Sequence, residues 1–268
     1  MHPFDAAVEL TPTHDDYLRG ATHPAYANMV GPFGGTTAAV LLQAALRHPA
    51  RLGDPVALTV NFAAPIGDGA FDVQARAVRT NRSTQHWTMA LSQDDHVAAT
   101  ATAVFAKRRS TWSAPEAAPP RDLPAPHALP EATLAGRPAW VHRYDMRFVE
   151  GPLPDAFDDS EQPHSRSVVW VRDEPPRPLD FASLAALCDS FFPRVWMRRR
   201  TRTAIGTVSL TTYFHADAPM LAAQGDRPVL GVVRAQAFRD GYFDHSAQLW
   251  DDAGRLLASS HQLVYYRE

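Results

Sequence analysis

Asp189 is a carboxylate set among Leu184, Leu187, Cys188, Phe191 and Phe192, in an apolar segment that reads as a helix from Phe181 to Phe192. A charge there costs free energy unless it has partners, and aspartate is a poor residue for a helix interior. Burial would raise its pKa and fit it to take a proton from water; the plainer alternative is a solvated helix residue. Cys188 has no histidine close to it in sequence and reads as a small core residue. The chain lacks a Gly-x-Ser-x-Gly elbow, a His-x-x-x-His pair with glutamate and a Gly-x-x-x-x-Gly-Lys loop. These absences argue against serine-hydrolase, zinc-hydrolase and P-loop chemistry. Arg194, Arg198, Arg199, Arg200 and Arg202 form the one dense basic run. Guanidinium groups bind phosphate bidentately, but a solvated loop face is the favoured reading.

The elements that must position these residues occur twice. Leu58-Thr59-Val60-Asn61-Phe62-Ala63 is echoed by Leu210-Thr211-Thr212-Tyr213-Phe214-His215, 152 residues later from Thr59 to Thr211. Asp94 to Thr100 is echoed by Asp252 to Ser259, with the offset grown to 158 at Asp252. An internal period of this kind sets the architecture. Between the copies, seven of the chain's 23 prolines fall from Pro115 to Pro138. Such a stretch is neither helix nor central strand and reads as a surface linker. The expected organisation is an N-terminal unit at 1–109, a linker at 110–140 and a C-terminal unit at 141–268.

Thr36 to Leu46 reads as a buried helix, entered through the turn Gly31-Pro32-Phe33-Gly34-Gly35. Val56, Leu58, Val60 and Phe62 alternate with less apolar residues, as do Phe71, Val73, Ala75 and Ala77, the pattern of half-buried strands. Trp87 to Leu91 and Val97 to Phe105 complete the first set. In the second half Arg143 to Val149 and Val168 to Val171 precede the helix as strands. Thr207 to Phe214, Val229 to Phe238, Ser246 to Trp250 and Leu256 to Tyr266 follow it. One helix and a meander of antiparallel strands, twice over, predicts an α+β protein in which each sheet wraps its own helix.

That layout is the double hot-dog, two tandem helix-wrapped antiparallel sheets forming a pseudo-dimer, and several short pieces resemble the acyl-CoA thioesterase II family within it. They are Phe33-Gly34-Gly35, Leu179 to Leu184 leading to Asp189, Gly206-Thr207-Val208-Ser209, Tyr213-Phe214-His215, and Ala258 to Gln262 with Arg267. In that family an aspartate on the second helix, a threonine on the next strand and a glutamine on the last strand orient the hydrolytic water. The resemblance therefore implies Asp189, Thr207 and Gln262 as catalytic residues. At an offset of 159, Gln262 falls opposite Ala103, so one competent and one degenerate site are expected.

Thioester hydrolysis needs a delivered water and donors for the oxyanion. Thr207 and Gln262 together can hold one water. Gly34 and Gly35 would let substrate approach the start of the first helix, whose N–H groups are natural oxyanion donors; a simple helix start is the alternative. Phe33, Phe191, Phe192 and Trp196 are the candidate acyl lining. The resemblance implies an acyl-CoA or acyl-carrier thioester as substrate, coenzyme A entering only as part of it, with no separate cofactor and no metal. A net charge of −3 gives no support to nucleic-acid binding, and no apolar run is long enough for a membrane span. A cytoplasmic protein, monomeric or homo-oligomeric, is expected. Two rivals share the fold: a non-catalytic acyl-thioester binder, and an enoyl-thioester hydratase, which would pair its aspartate with a histidine absent from Phe181 to Phe192. Phe191-Phe192-Pro193-Arg194 and Leu263 to Tyr266 depart from the family's pattern, so acyl identity is left open.

Overall fold

A computed structural model describes all residues from Met1 to Glu268. Helix α1 (Pro3–Ala7), strands β1 (Thr11–His14) and β2 (Tyr17–Ala21), and helix α2 (Gly34–Leu46) lead into β3 (Asp54–Phe62), β4 (Ala70–Thr80), β5 (Thr84–Gln93) and β6 (His96–Ala106). The second half runs β7 (Tyr144–Glu150), β8 (Ser167–Asp173), α3 (Phe181–Leu187), α4 (Arg194–Arg199) and β9 (Ala204–Phe214). It ends with α5 (Ala218–Gln224), β10 (Val229–Arg234), β11 (Phe238–Arg239), β12 (Tyr242–Trp250) and β13 (Leu256–Arg267). Every pairing is antiparallel. The strand order is β1-β2-β4-β5-β6-β3 followed by β9-β13-β12-β10-β8-β7, with β11 on β12. The second half thus repeats the first in mirrored order, as a pseudo-two-fold axis between β3 and β9 requires.

The axis falls where the sequence repeat points. Thr59 pairs with Thr211, its own counterpart 152 residues on, and their hydroxyl oxygens lie 3.0 Å apart. The two half-sheets are joined edge to edge there, so neither central strand is left with unpaired backbone groups. This is the double hot-dog arrangement. The pair β1–β2 ahead of α2 also matches β7–β8 ahead of α3, which makes the duplication fuller than the sequence pattern alone indicates. All of β1 is exposed, and only Leu18 and Gly20 of β2 are buried.

Period-two alternation shapes the strands. On β5, Gln85, Trp87, Met89 and Leu91 face inward; on β4, Phe71, Val73 and Ala75 do. Helix α2 is apolar around most of its circumference, ten of its 13 residues being buried, as suits a helix wrapped by a sheet and covered by a second helix. Its contact with α3 is a backbone approach. A Cβ on Gly35 would lie 2.6 Å from the Ala186 carbonyl oxygen and 2.4 Å from the Phe33 ring. The stretch from 107 to 125 carries no helix or strand, and Pro126–Ala128 is a single 3-10 turn. The linker still packs: Trp170 Nε1 donates to the Pro124 carbonyl at 3.1 Å.

The second helix is shorter than its apolar run predicts. Expected to reach Phe192, α3 ends at Leu187. The Asp189 and Ser190 amides make tight bonds to Ala186 and Leu187, and the Ser190 hydroxyl also donates to the Leu187 carbonyl at 2.8 Å. A serine hydroxyl competing for a helix carbonyl favours such an end, and Pro193 disfavours helical geometry at Phe192 before it. Asp189 therefore stands just beyond a helix C-terminus, free to point away from the helix axis.

Candidate active site

Asp189 turns toward the start of α2. The N-cap of that helix, Phe33, offers no side-chain acceptor, and the helix's own bonds begin with Thr36 and Thr37 donating to the Phe33 carbonyl. The N–H groups of Gly34 and Gly35 are therefore outside the ladder. Asp189 fills the gap from the other half of the molecule. Its carboxylate faces the Gly35 N–H closely enough for that N–H to lower its pKa, and a Cβ on Gly34 would lie only 2.7 Å from Oδ2. Glycine at 34 thus admits the carboxylate itself, and the face of Gly35 is filled by Phe33 and Ala186.

Two effects compete over the Asp189 charge. Loss of hydration raises its pKa, while hydrogen bonds from Gln262 and the Gly35 N–H lower it. Desolvation wins, and the pKa stands at about 7. The residue keeps partial exposure, as a group that meets water must. A carboxyl group balanced near neutrality is suited to take a proton from water and return it.

Gln262 and Thr207 reach this carboxyl through the register of β13. Gln262 lies opposite Leu210 on β9 and opposite His245 on β12, all three facing inward. Undisturbed alternation from Leu210 would turn Val208 inward next. A register shift intervenes, Leu263 pairing with Ser209 and Val264 with Thr207, so Val208 is the extra residue of a bulge. Bulges re-aim side chains in this way, and here Thr207 is brought beside Gln262. The Thr207 hydroxyl donates to Gln262 Oε1 at 3.4 Å, while Gln262 Nε2 donates to the Cys188 carbonyl at 3.5 Å. Ser260 Oγ donates to the same carbonyl at 3.3 Å. The glutamine amide is thereby held by its neighbours with its N–H side toward Asp189 and the segment that carries it.

The first half shows what the same geometry looks like without these groups. Ala103 lies opposite Leu58 as Gln262 lies opposite Leu210, and Leu58 and Leu210 are 152 residues apart. The bulge recurs too, with Val56 as the extra residue and Pro55 at the position of Thr207. Eight residues past the start of α2 stands Leu42, where eight past the start of α3 stands Asp189. Leu42, Pro55 and Ala103 offer no side-chain polar atom.

Other expected residues fall into different settings. Phe33 stacks on Trp140 with ring centres 4.2 Å apart, and Phe192 lies 6.2 Å from both Trp140 and Phe148. Trp140, hidden at the end of the proline-rich stretch, thus joins two aromatics predicted from sequence. Trp196 belongs to a separate cluster with Val195, Phe243 and Val264. Cys188 is fully buried and its pKa is pushed up to about 12, chiefly by desolvation, so it is held as a thiol. The basic run divides. Arg198, Arg199 and Arg200 pair with Glu161, Glu268 and Asp158 at the surface, as a solvated face would, while Arg194 is buried.

Two family models match the chain. The acyl-CoA thioesterase N-terminal domain matches residues 23–106, and the acyl-CoA thioesterase C-terminal domain matches 115–266. The chain belongs to the acyl-CoA thioesterase family. It is 47% identical to a conserved protein of unknown function with hot dog fold from Alicyclobacillus acidocaldarius, with TM-score 0.94 over 100% of this chain and 99% of that one. The tesB protein of Mycobacterium avium subs paratuberculosis shares the fold at 19% identity and TM-score 0.80, covering 99% and 98%. An acyl-CoA thioesterase II, TesB2, from Mycobacterium marinum does so at 18% and 0.75, covering 98% of each chain. No curated protein matches the chain.

Thr207→Val is expected to lower turnover about tenfold. It removes the donor that fixes Gln262 Oε1, a hydrogen bond worth roughly 1–1.5 kcal/mol. Steady-state kinetics checks this, and an unchanged kcat/KM would separate Thr207 from the site.

Proposed function

We propose that the protein hydrolyses an acyl thioester of coenzyme A with a water activated by Asp189, without a covalent intermediate. Water adds to the thioester carbonyl carbon as its proton passes to the carboxylate. The carbon–sulfur bond then breaks, the sulfur leaves as a thiol carrying a proton returned by Asp189, and the acyl group leaves as a carboxylic acid. Gln262, steadied by Thr207, positions the water. The unladdered N–H groups at the start of α2 supply positive potential where the oxyanion develops.

The observation that carries this reading is Asp189 itself: a carboxyl with a pKa of about 7, held between the start of one helix and a fixed glutamine. The mirrored position in the other half lacks all three polar side chains.

The test is free-thiol release from short, medium and long acyl-CoAs by the purified protein and by Asp189→Asn. Turnover that collapses in the variant supports the reading. Turnover that survives moves the base elsewhere, and hydration of an enoyl-CoA without thiol release would make the protein a hydratase.

A further inference from the structure

Arg194 is a buried guanidinium without a carboxylate. It is 1% exposed, and burial alone accounts for a pKa lowered to about 9. Its contacts are neutral: Nε and Nη2 donate to the Phe192 carbonyl at 2.8 and 2.5 Å, and Nη1 donates to the Ser165 carbonyl and Ser167 Oγ, both at 2.8 Å. Arginine carries five N–H donors, so one on Nη2 remains. Leaving a positive charge buried without an anion is expensive, which asks what completes the site.

The charge faces a closed slot. It is walled by Met146, Phe148, Val169, Val171, Phe191 and Phe192, with Arg194, Ser167 and Ser190 as its polar members, and it leaves no room for even a water molecule. Ser190, one of its lining residues, is the chain neighbour of Asp189. Its walls stand close together, and an occupant would enter by parting them, Met146 being the most adaptable.

A second unpartnered group lies behind it. His245 is 2% exposed, its Nε2 has no hydrogen-bond partner, and its ring centre is 5.9 Å from that of Phe191. Burial first, and the Arg194 charge second, hold it neutral. It sits opposite Gln262 on β12, the place held by Trp87 opposite Ala103 in the half without the polar triad. The histidine is therefore another polar group present only in the half that carries the chemistry.

Apolar walls ending on an unneutralised guanidinium suit a methylene chain with an anionic end. We infer that the slot is the acyl subsite and that Arg194, with His245 behind it, selects acyl groups bearing a terminal carboxylate. The inference rests on the thioesterase reading for the position of the thioester. The remaining Nη2 N–H can donate a charge-assisted hydrogen bond to a carboxylate, where a terminal methyl would leave the charge unpaired.

Matched pairs test it: adipyl-CoA against hexanoyl-CoA, and suberyl-CoA against octanoyl-CoA, by thiol release. The wild-type protein should favour the carboxylated member of at least one pair by tenfold or more in kcat/KM. Arg194→Met should bring that ratio to one or below, and Arg194→Lys should restore part of it. Preference for the unsubstituted acyl group in both pairs overturns the proposal with no variant needed, as does a ratio unmoved by Arg194→Met. If no substrate releases thiol, the hydrolytic reading fails. Calorimetric binding of adipyl-CoA and hexanoyl-CoA to Asp189→Asn then decides the subsite separately: tighter adipyl binding upholds it, and equal binding overturns it.

Discussion

Asp189→Asn is expected to lower thiol release by about 10²- to 10⁴-fold, the usual range for a lost general base, while making the folded protein more stable above neutral pH. The two effects have one cause. Desolvation raises the folded-state pKa from 3.8 to about 7, so the unfolded chain gives up this proton more readily than the folded one. Stability linked to the group is complete below the unfolded value and is lost as pH rises toward the folded one. A neutral asparagine is spared that loss. The gain should open between about pH 4 and 7 and level off above, at roughly 2–4 kcal/mol. Urea unfolding of both proteins at pH 4 and pH 8 measures it. Equal loss of activity and stability at pH 8 would make Asp189 a structural residue.

Gly35→Ala should be the most damaging small substitution in the helices. Alanine would ordinarily gain up to about 1 kcal/mol over glycine inside a helix. Here its Cβ meets the Ala186 carbonyl oxygen at 2.6 Å and the Phe33 ring at 2.4 Å. The first is backbone of the partner helix and cannot swing aside. Overpacking of this kind costs about 3 kcal/mol, so the net loss is about 2 kcal/mol and the Tm should fall by roughly 4–8 °C. Gly34→Ala makes the contrast. Its Cβ meets Asp189 Oδ2 at 2.7 Å and the Phe62 ring at 3.4 Å, both side chains. It should fold within about 1 kcal/mol of wild type, since those side chains can move, and still lose activity as Asp189 is pushed from its place. A larger Tm loss for Gly34→Ala than for Gly35→Ala would contradict this account of the helix crossing.

The duplication was legible because Thr59 and Thr211 lie in matching stretches of β3 and β9, and pairing of those strands sets the same residues against each other. Alternation made β4 and β5 readable for the same reason: one face is buried. Elements lacking a buried face were not readable, and β1, exposed throughout, is the clearest case. The site residues named from the family resemblance converge around the start of α2, but the means could not be read from the chain. Asp189 leaves its helix because Ser190 takes the Leu187 carbonyl, a local competition that apolar spacing hides. Thr207 faces Gln262 through a bulge at Val208, and a bulge leaves no mark in an alternating pattern. His245 acquires its meaning only from register, as the residue opposite Gln262. Trp140 lay in a stretch where prolines obscure any periodicity.

The measurement nearest the central claim is the pH dependence of kcat/KM for thiol release from a turned-over acyl-CoA. The structure predicts a limb that rises with unit slope, bends near pH 7 as Asp189 ionises in the free protein, and then stays flat. The small activity left in Asp189→Asn should show no such bend. A profile flat from pH 5 to 9 in the wild type, or the same bend in the variant, would contradict Asp189 as the base.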